Sequence, residues 1–182
     1  MLNKILLNIA NQAINDYFDG RDSIDINKLL VNYPHLQNPT ATFVTLTING
    51  NLRGCIGSLI AHRTLIDDII HNAKSAAFGD PRFRPLTKEE FKNTKIEISL
   101  LTTPQPIEYT NIADLKSKVA KGIDGIILKS GYNQATFLPQ VWESLPNFED
   151  FFQALCQKAG LSGNCLNNKP QIFKYNVEKI SQ

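Results

Sequence analysis

The spacing of apolar residues along the chain predicts three amphipathic helices. Residues 2–18 place apolar side chains at helical intervals, and Gly20 follows as a C-terminal cap. Residues 64–78 repeat this pattern behind Thr64, a favourable N-cap residue, and residues 148–159 repeat it with several phenylalanines. Two shorter helices are predicted at the capping box of residues 87–90 and over residues 111–120.

A different pattern, rich in β-branched residues, predicts a hairpin near the end of the first quarter of the chain. Residues 42–48 and 51–59 flank the pair Asn49-Gly50, which favours a tight turn because both positions need a positive φ. A two-residue loop would pair Val44 with Cys55, whereas a bulge would shift that register.

The remaining segments predict more strands and one irregular stretch. Residues 95–101 alternate apolar and polar side chains, residues 125–129 and 134–138 form a second hairpin, and residues 171–180 form a final strand. Residues 21–40 contain two prolines and are expected to be irregular. This order predicts an α+β fold in which helices pack on a mixed or antiparallel sheet.

Length and charge restrict the class of protein. The 182 residues favour a single domain spanning 1–182. A net charge of +2 and a pI near 8.4 argue against a nucleic-acid-binding protein, which would carry a clustered basic face. No unbroken apolar run reaches the ~18 residues of a membrane span, and no signal-peptide core is visible, so we expect a cytoplasmic protein without a membrane segment.

Three cysteines stand at positions 55, 156 and 165. Their odd number, and the lack of Cys-x-x-Cys or Cys/His spacing, argue against a disulfide framework and a zinc site. We therefore expect a reducing compartment. Cys156 falls on the phenylalanine-rich stripe and is predicted to pack in the core, whereas Cys165 lies in a polar loop with no specific role. The sequence indicates no particular cofactor.

Chemistry is most plausible in the segment Leu52–Gly57. Gly54 and Gly57 weaken a strand, so they indicate a bulge, a bend, or the close approach of a ligand or another backbone. Arg53 and Cys55 lie two residues apart, about 6.6 Å along a strand, and share a face. A neighbouring cation favours a nucleophilic thiolate. The alternative is a small buried cysteine in a packed hairpin, because no histidine is paired with this thiol by a local motif.

A second candidate cluster lies in a loop that two prolines bracket. Asp80, Arg82 and Arg84 could together hold a carboxylate or phosphate ligand. The alternative is a solvated loop with a local ion pair, which would contribute little to stability. Farther along, Gln140 and Trp142 could line a pocket, although a single tryptophan is more often a core or rim residue.

The segment Leu52-Arg53-Gly54-Cys55-Ile56-Gly57 resembles the signature of the AMMECR family, whose bacterial and archaeal members are called AmmeMemoRadiSam system protein A. The resemblance extends in ordered blocks from about residue 40. Position 84 is usually proline in that family, so a role for Arg84 is not carried over. A tryptophan often follows the last block, where this chain has Cys165 and Leu166. Further blocks are Asp80-Pro81-Arg82-Phe83, Asp124-Gly125-Ile126, residues 135–142 and Lys158-Ala159-Gly160-Leu161.

The resemblance implies an α+β domain with a main sheet-and-helix part and a smaller lobe. It also implies a cleft where the strand of Arg53 and Cys55 meets the loop of Asp80 and Arg82, and a connection with a Memo-like protein and a radical SAM protein. The family supplies no settled activity, and an enzymatic role has been suspected without a defined substrate.

Two functional hypotheses follow. In the first, an enzyme or enzyme component binds a small anionic or nucleotide-like ligand, with Cys55 as nucleophile or acid and Asp80 orienting an arginine. In the second, the same face is a non-catalytic docking module for a Memo-like or radical SAM protein, since no complete acid–base pair is visible. The ligand-binding residues in the first hypothesis are Arg53, Gly54, Gly57, Arg82, Gln140 and Trp142.

Overall fold

The computed structural model describes residues 2–182. The chain separates into two compact units, the first formed by residues 2–101 and 178–182 and the second by residues 102–177. Each unit has its own four-stranded antiparallel sheet and its own hydrophobic core. The α+β class that the sequence predicts is therefore confirmed.

The first unit has the sheet order β2-β1-β3-β8, so β2 lies at one edge. Two helices precede its first hairpin, and a 3₁₀ turn at Pro34–Gln37 follows the second of them. The elements are α1 (Leu2–Asp19), α2 (Ile26–Asn32), β1 (Ala41–Ile48), β2 (Asn51–Gly57), α3 (Leu65–Phe78), α4 (Lys88–Phe91), β3 (Thr94–Leu101) and β8 (Val177–Ser181).

The second unit has the sheet order β4-β7-β5-β6. Its longest helix, α7, carries the phenylalanine stripe that the sequence predicts, and a 3₁₀ turn at Cys165–Asn168 follows it. The elements are β4 (Gln105–Pro106), α5 (Ile112–Lys118), β5 (Gly125–Ser130), β6 (Asn133–Phe137), α6 (Val141–Ser144), α7 (Phe148–Lys158) and β7 (Gln171–Tyr175).

In the first unit, α1, α3 and the sheet enclose one hydrophobic core. The apolar face of α1 supplies the fully buried Leu6 and Ile14, and the inward-facing strand positions supply Val44 of β1 and Ile98 of β3. Removing each such side chain from water stabilises the fold by roughly 1.5–3 kcal/mol. The apolar face of the sheet therefore packs against α3, and the alternate residues of each strand lie on the opposite face.

The first hairpin forms where the sequence predicts, but its register is shifted by a bulge. Cys55 pairs with Thr45, and Val44 pairs with Ile56, so the expected pairing of Val44 with Cys55 is wrong by one residue. The irregularity lies between Leu46 and Thr47 on β1 and leaves Arg53 as the extra residue of β2. The bulge therefore places the Thr45 hydroxyl beside the Cys55 thiol.

The two glycines of β2 have a packing role. A Cβ atom at Gly54 would collide with the Ala76 carbonyl of α3, and one at Gly57 would collide with the Phe43 ring and the Thr42 carbonyl. Close approach of another backbone, one of the reasons that the sequence left open, thus accounts for Gly54.

Two expected segments differ in the structure. Residues 21–40 contain the helix α2, capped by the Asp25 side chain, which accepts the Lys28 N–H. None of the α2 residues is buried, so its apolar pattern gave little signal. The predicted strand over residues 171–180 is two strands, β7 and β8, which belong to different sheets and are separated at Asn176.

The prediction about the cysteines is corrected as well. Cys156 and Cys165 form a disulfide, and Cys55 is the free cysteine. Cys156 does pack in the core, but Cys165, which was expected in a polar loop, is buried too. The argument against a disulfide failed because the 3₁₀ turn folds back on α7 and brings the two cysteines together, and no local spacing motif predicts this contact.

Within residues 2–182, no helix combines the length and apolarity that crossing a bilayer would require.

We expect Gly54→Ala to lower the free energy of unfolding by about 1–3 kcal/mol, because the added methyl group must displace the α3 backbone. Urea denaturation followed by circular dichroism measures the change. Gly163→Ala is the matched control, since its methyl group meets the flexible side chain of Gln153 and should alter stability by about 0.5 kcal/mol at most. Equal effects of the two substitutions would contradict the packing role of Gly54.

Candidate functional site

The Asp80 carboxylate joins the edge strand β2 to the proline-bracketed loop that follows α3. One of its oxygens accepts the Cys55 N–H at 2.9 Å. Arg82 donates to both oxygens, from Nε at 3.0 Å and from a terminal nitrogen at 2.7 Å, and its backbone N–H adds a bond of 3.0 Å. The Asp80 side chain is only 2% exposed, so these bonds replace its hydration.

The same ion pair covers the open edge of the sheet at Cys55. The Cys55 N–H is bound by Asp80, and the Cys55 carbonyl accepts a hydrogen bond of 3.3 Å from Arg82. Two side chains therefore satisfy main-chain groups that a neighbouring strand would otherwise bind. Covering an edge in this way protects a sheet from pairing with other chains.

Electrostatics keep both members of this pair ionised. The hydrogen bonds from Arg82, together with the Cys55 and Arg82 N–H groups, hold the pKa of Asp80 well below its usual range, although burial acts in the opposite direction. The hydrogen bond to Asp80 likewise raises the pKa of Arg82. Arg82 is thus an oriented cation whose side chain remains 54% exposed.

Arg53 binds groups of the protein itself. Its guanidinium donates to both Glu90 oxygens, at 3.2 and 3.1 Å, and to the Arg84 carbonyl at 2.9 Å. The hydrogen bonds from Arg53, and then from the Thr87 N–H, lower the pKa of Glu90 to about 2. The Arg53 side chain is 13% exposed, and its hydrogen bonds connect β2 with the loop and with α4.

Glu90 is a site residue whose second partner the sequence did not reveal. The capping box was predicted, and Glu90 indeed binds the Thr87 N–H at 2.9 Å. The contact with Arg53 spans 37 positions and is not visible from local spacing.

An aromatic ring lies beside both guanidinium groups. The Phe83 ring centroid is 5.7 Å from the guanidinium carbon of Arg53 and 5.5 Å from that of Arg82. Both distances fall within the range of cation–π attraction. Phe83 therefore helps to hold the two side chains at the same end of the loop.

The Cys55 sulfur is half-buried and accepts a hydrogen bond of 3.3 Å from the Thr45 hydroxyl. Among residues 2–182, the hydrogen bonds of this cysteine go to Thr45, Asp80 and Arg82, and none of them involves a histidine. The arrangement offers a thiol, a hydroxyl and an oriented cation, but within residues 2–182 no histidine or carboxylate is hydrogen-bonded to the thiol.

Four of the predicted site residues meet in the first unit, namely Arg53, Cys55, Asp80 and Arg82. Gln140 and Trp142 belong to the second unit. There the Trp142 ring stacks on Phe151 with 3.6 Å between centroids, and its Nε1 donates to the Asp124 carbonyl at 2.9 Å. Trp142 is therefore a core residue of its unit. Contacts of Gln140 and Trp142 with a ligand stay a prediction.

A buried carboxylate that the sequence did not single out for a site lies at the start of α3. Asp68 is fully buried and accepts hydrogen bonds from the Thr42 N–H and hydroxyl, Ser58, Arg63 and Asn72. Asp68 lies in the first turn of α3, and its partners are distant in sequence, except for Arg63 and Asn72. The complete set of hydrogen bonds ties the start of β1 and the end of β2 to α3.

No group of three or more histidine, cysteine, aspartate or glutamate side chains is placed to hold a metal ion within the described residues 2–182.

Fold and site together define an α+β protein in which a free cysteine lies on an edge strand that an aspartate–arginine pair covers. The model of the AMMECR1 family matches residues 7–180. The chain therefore belongs to the AMMECR1 family, as its signature segment predicted.

Similar proteins occur in archaea. A protein of Methanothermobacter thermautotrophicus is 35% identical over 181 residues, which cover 96% of this chain and 91% of that protein. One from Sulfurisphaera tokodaii is 41% identical and is covered over 79% of its length, with 96% of this chain aligned. The crystal structure of Uncharacterized Protein PH0010 from Pyrococcus horikoshii superposes with a TM-score of 0.81 at 32% identity, covering 96% of this chain and 88% of that one.

We expect Asp80→Asn to destabilise the protein by about 2 kcal/mol near neutral pH, because charged hydrogen bonds to Arg82 and Cys55 are lost. The carboxylate has a lowered pKa in the folded state, so its contribution is complete above the unfolded pKa and disappears as the pH falls toward the folded value. The difference between wild type and variant should therefore shrink below about pH 4.

Urea denaturation at neutral and acidic pH measures this difference. Asp22→Asn provides the control, since Asp22 is exposed and its carboxylate makes no hydrogen bond within residues 2–182. A stability difference for Asp80→Asn that stays constant from neutral pH to pH 3 would show that its charge is not what stabilises the edge.

Proposed function

We propose that the chain is an enzyme, or a component of one, that binds a small anionic ligand beside Cys55. Phosphate and carboxylate groups, including the phosphate of a nucleotide, have the chemistry that a guanidinium recognises. The observation that supports this proposal is that the Arg82 guanidinium is both held in place and exposed. It is held by a buried carboxylate and yet is 54% exposed, and it donates a hydrogen bond to the backbone carbonyl of Cys55, the residue that carries the free thiol.

Each residue has a role in this proposal. The hydrogen bonds of Arg82 within residues 2–182 use Nε and one terminal nitrogen, so the other terminal nitrogen is available to the anion. Asp80 orients Arg82, and Cys55 acts as nucleophile or acid on the bound ligand. Arg53, whose charge is paired with Glu90, supports the loop, and backbone groups at Gly57 line the ligand, while the buried Gly54 acts through its packing on α3. Fixing the anion beside the thiol would lower the entropic barrier to reaction.

Alkylation of Cys55 tests the site directly. Iodoacetamide should label Cys55 in the folded protein, since Cys156 and Cys165 are paired. Inorganic phosphate or a nucleoside monophosphate, at about ten times its dissociation constant, should slow labelling about tenfold by occupying the site. The labelling rate is measured by mass spectrometry at several ligand concentrations.

Two variants of neighbouring arginines make this test specific. Arg82→Gln should abolish protection by the anion, whereas Arg84→Gln should preserve it, because the Arg84 side chain makes no hydrogen bond within the described residues. Circular dichroism confirms that both variants are folded. Protection that persists in Arg82→Gln, or that is absent from wild type with both probes, would refute the anion site.

A second candidate function is docking of a protein partner on the same loop. The loop exposes Pro81, Arg82, Arg84 and Pro85, and Leu52 beside it is 44% exposed. A stiff basic surface with an apolar neighbour suits an acidic partner face. The family resemblance supports a Memo-like or radical SAM protein as that partner, and a cytoplasmic location remains part of this proposal.

Co-purification with each partner tests docking. We expect Arg84→Glu to weaken the complex by at least about tenfold, because it reverses a charge at the contact surface. Lys92→Glu, at the residue that follows α4, is the control for the change in net charge. Substitutions of Arg84 distinguish the two proposed functions, because this side chain is dispensable for binding a small anion but required for docking. Wild type that retains neither partner, with or without added phosphate, would exclude docking.

A further inference from the structure

The second unit contains a disulfide that holds a mainly irregular segment against α7. Cys156 lies in the last turns of the helix, and Cys165 begins the 3₁₀ turn at Cys165–Asn168, with 5.8 Å between the two Cα atoms. Cys156 is fully buried, and Cys165 is 3% exposed. Both sulfurs therefore lie inside the core of this unit, out of reach of a reductant while the segment is closed.

The segment 161–169 has few other links to the rest of the unit. The hydrogen bonds found for it within residues 2–182 end on residues between 156 and 169, such as Leu161 N–H to the Cys156 carbonyl and Cys165 N–H to the Ser162 carbonyl. Its other attachments to the core are the buried Leu166 and the half-buried Leu161. Segments with local hydrogen bonds and little buried surface open at low free energy, so the disulfide supplies much of the restraint.

The segment also forms a wall of two adjoining grooves. One groove, of about 440 Å³, lies between residues 109–113 and Leu166, Asn167 and Lys169. The other, of about 240 Å³, lies between residues 106–109 and residues 169–173. The two share Tyr109 and Lys169, so a displacement of the segment would change both grooves together.

We propose that the Cys156–Cys165 disulfide is a redox-sensitive latch on this wall. Local opening of the segment exposes a sulfur to a dithiol reductant. One thiolate of the reductant attacks that sulfur and forms a mixed disulfide, and the second thiolate resolves it. Two electrons and two protons pass to Cys156 and Cys165, which become thiols, while the dithiol is oxidised to its own disulfide. The released segment then leaves the groove wall mobile.

Counting thiols is the first measurement. Protein purified without reductant and then unfolded should react with one equivalent of iodoacetamide, at Cys55, whereas protein treated with dithiothreitol should react with three. Three reactive thiols before reduction would show that the bond does not form and would overturn the proposal.

Hydrogen exchange of the folded protein then distinguishes a latch from a purely structural cross-link. Under native conditions, dithiothreitol should raise amide exchange in residues 160–170 by at least tenfold and leave β5 and the first two turns of α7 protected. Reduction that occurs only together with exchange throughout the second unit, or reduction that leaves residues 160–170 unchanged, would contradict the latch.

Variants assign the effect to this bond. The double variant Cys156→Ser with Cys165→Ser should reproduce the exchange pattern of reduced wild type and should not respond to dithiothreitol. Cys55→Ser is the matched control and should respond as wild type does. A response to dithiothreitol in the double variant, or its loss in Cys55→Ser, would place the redox-sensitive group elsewhere. If the double variant does not fold, the exchange of reduced wild type decides the question.

Discussion

One buried carboxylate organises the edge of the first sheet. Asp80 accepts the Cys55 N–H and binds Arg82, which in turn covers the Cys55 carbonyl. Were Asp80 neutral, the strand edge would lose its cover and Arg82 would lose its orientation. The low pKa of Asp80 means that both functions persist at ordinary pH. Edge protection and presentation of a cation are thus the same interaction, so a substitution that alters one is bound to alter the other.

Local signals were sufficient for much of the fold. The apolar stripes of α1, α3 and α7 and the turn at Asn49-Gly50 were predicted correctly, because they depend on residues a few positions apart. The hairpin register was not, since the bulge leaves Arg53 unpaired next to Gly54, which packs on the α3 backbone, and contacts between such distant segments have no local signal. Residues 171–180 were predicted to form one strand because the alternation of apolar and polar residues continues through Asn176. Tertiary contacts decide which sheet each half of this segment joins.

The sequence identified four residues that the structure brings together, but it did not reveal the contacts among them. The signature segment and the proline-bracketed loop both indicate Arg53, Cys55, Asp80 and Arg82, whereas anion binding by the loop stays a prediction. Asp80 and Arg82 do form a local ion pair, yet the pair also holds the backbone of Cys55. The contact of Arg53 with Glu90 and the Cys156–Cys165 bond join segments whose proximity no spacing rule encodes.

The first unit is discontinuous along the chain, and this affects the order in which it can be completed. Its strand β8 pairs beside β3, but residues 102–176 come between them. A ribosome must therefore synthesise the whole second unit before the first sheet can acquire its fourth strand. Until then the outer edge of β3 has no neighbouring strand, and an unpaired strand edge is a place where another chain can pair.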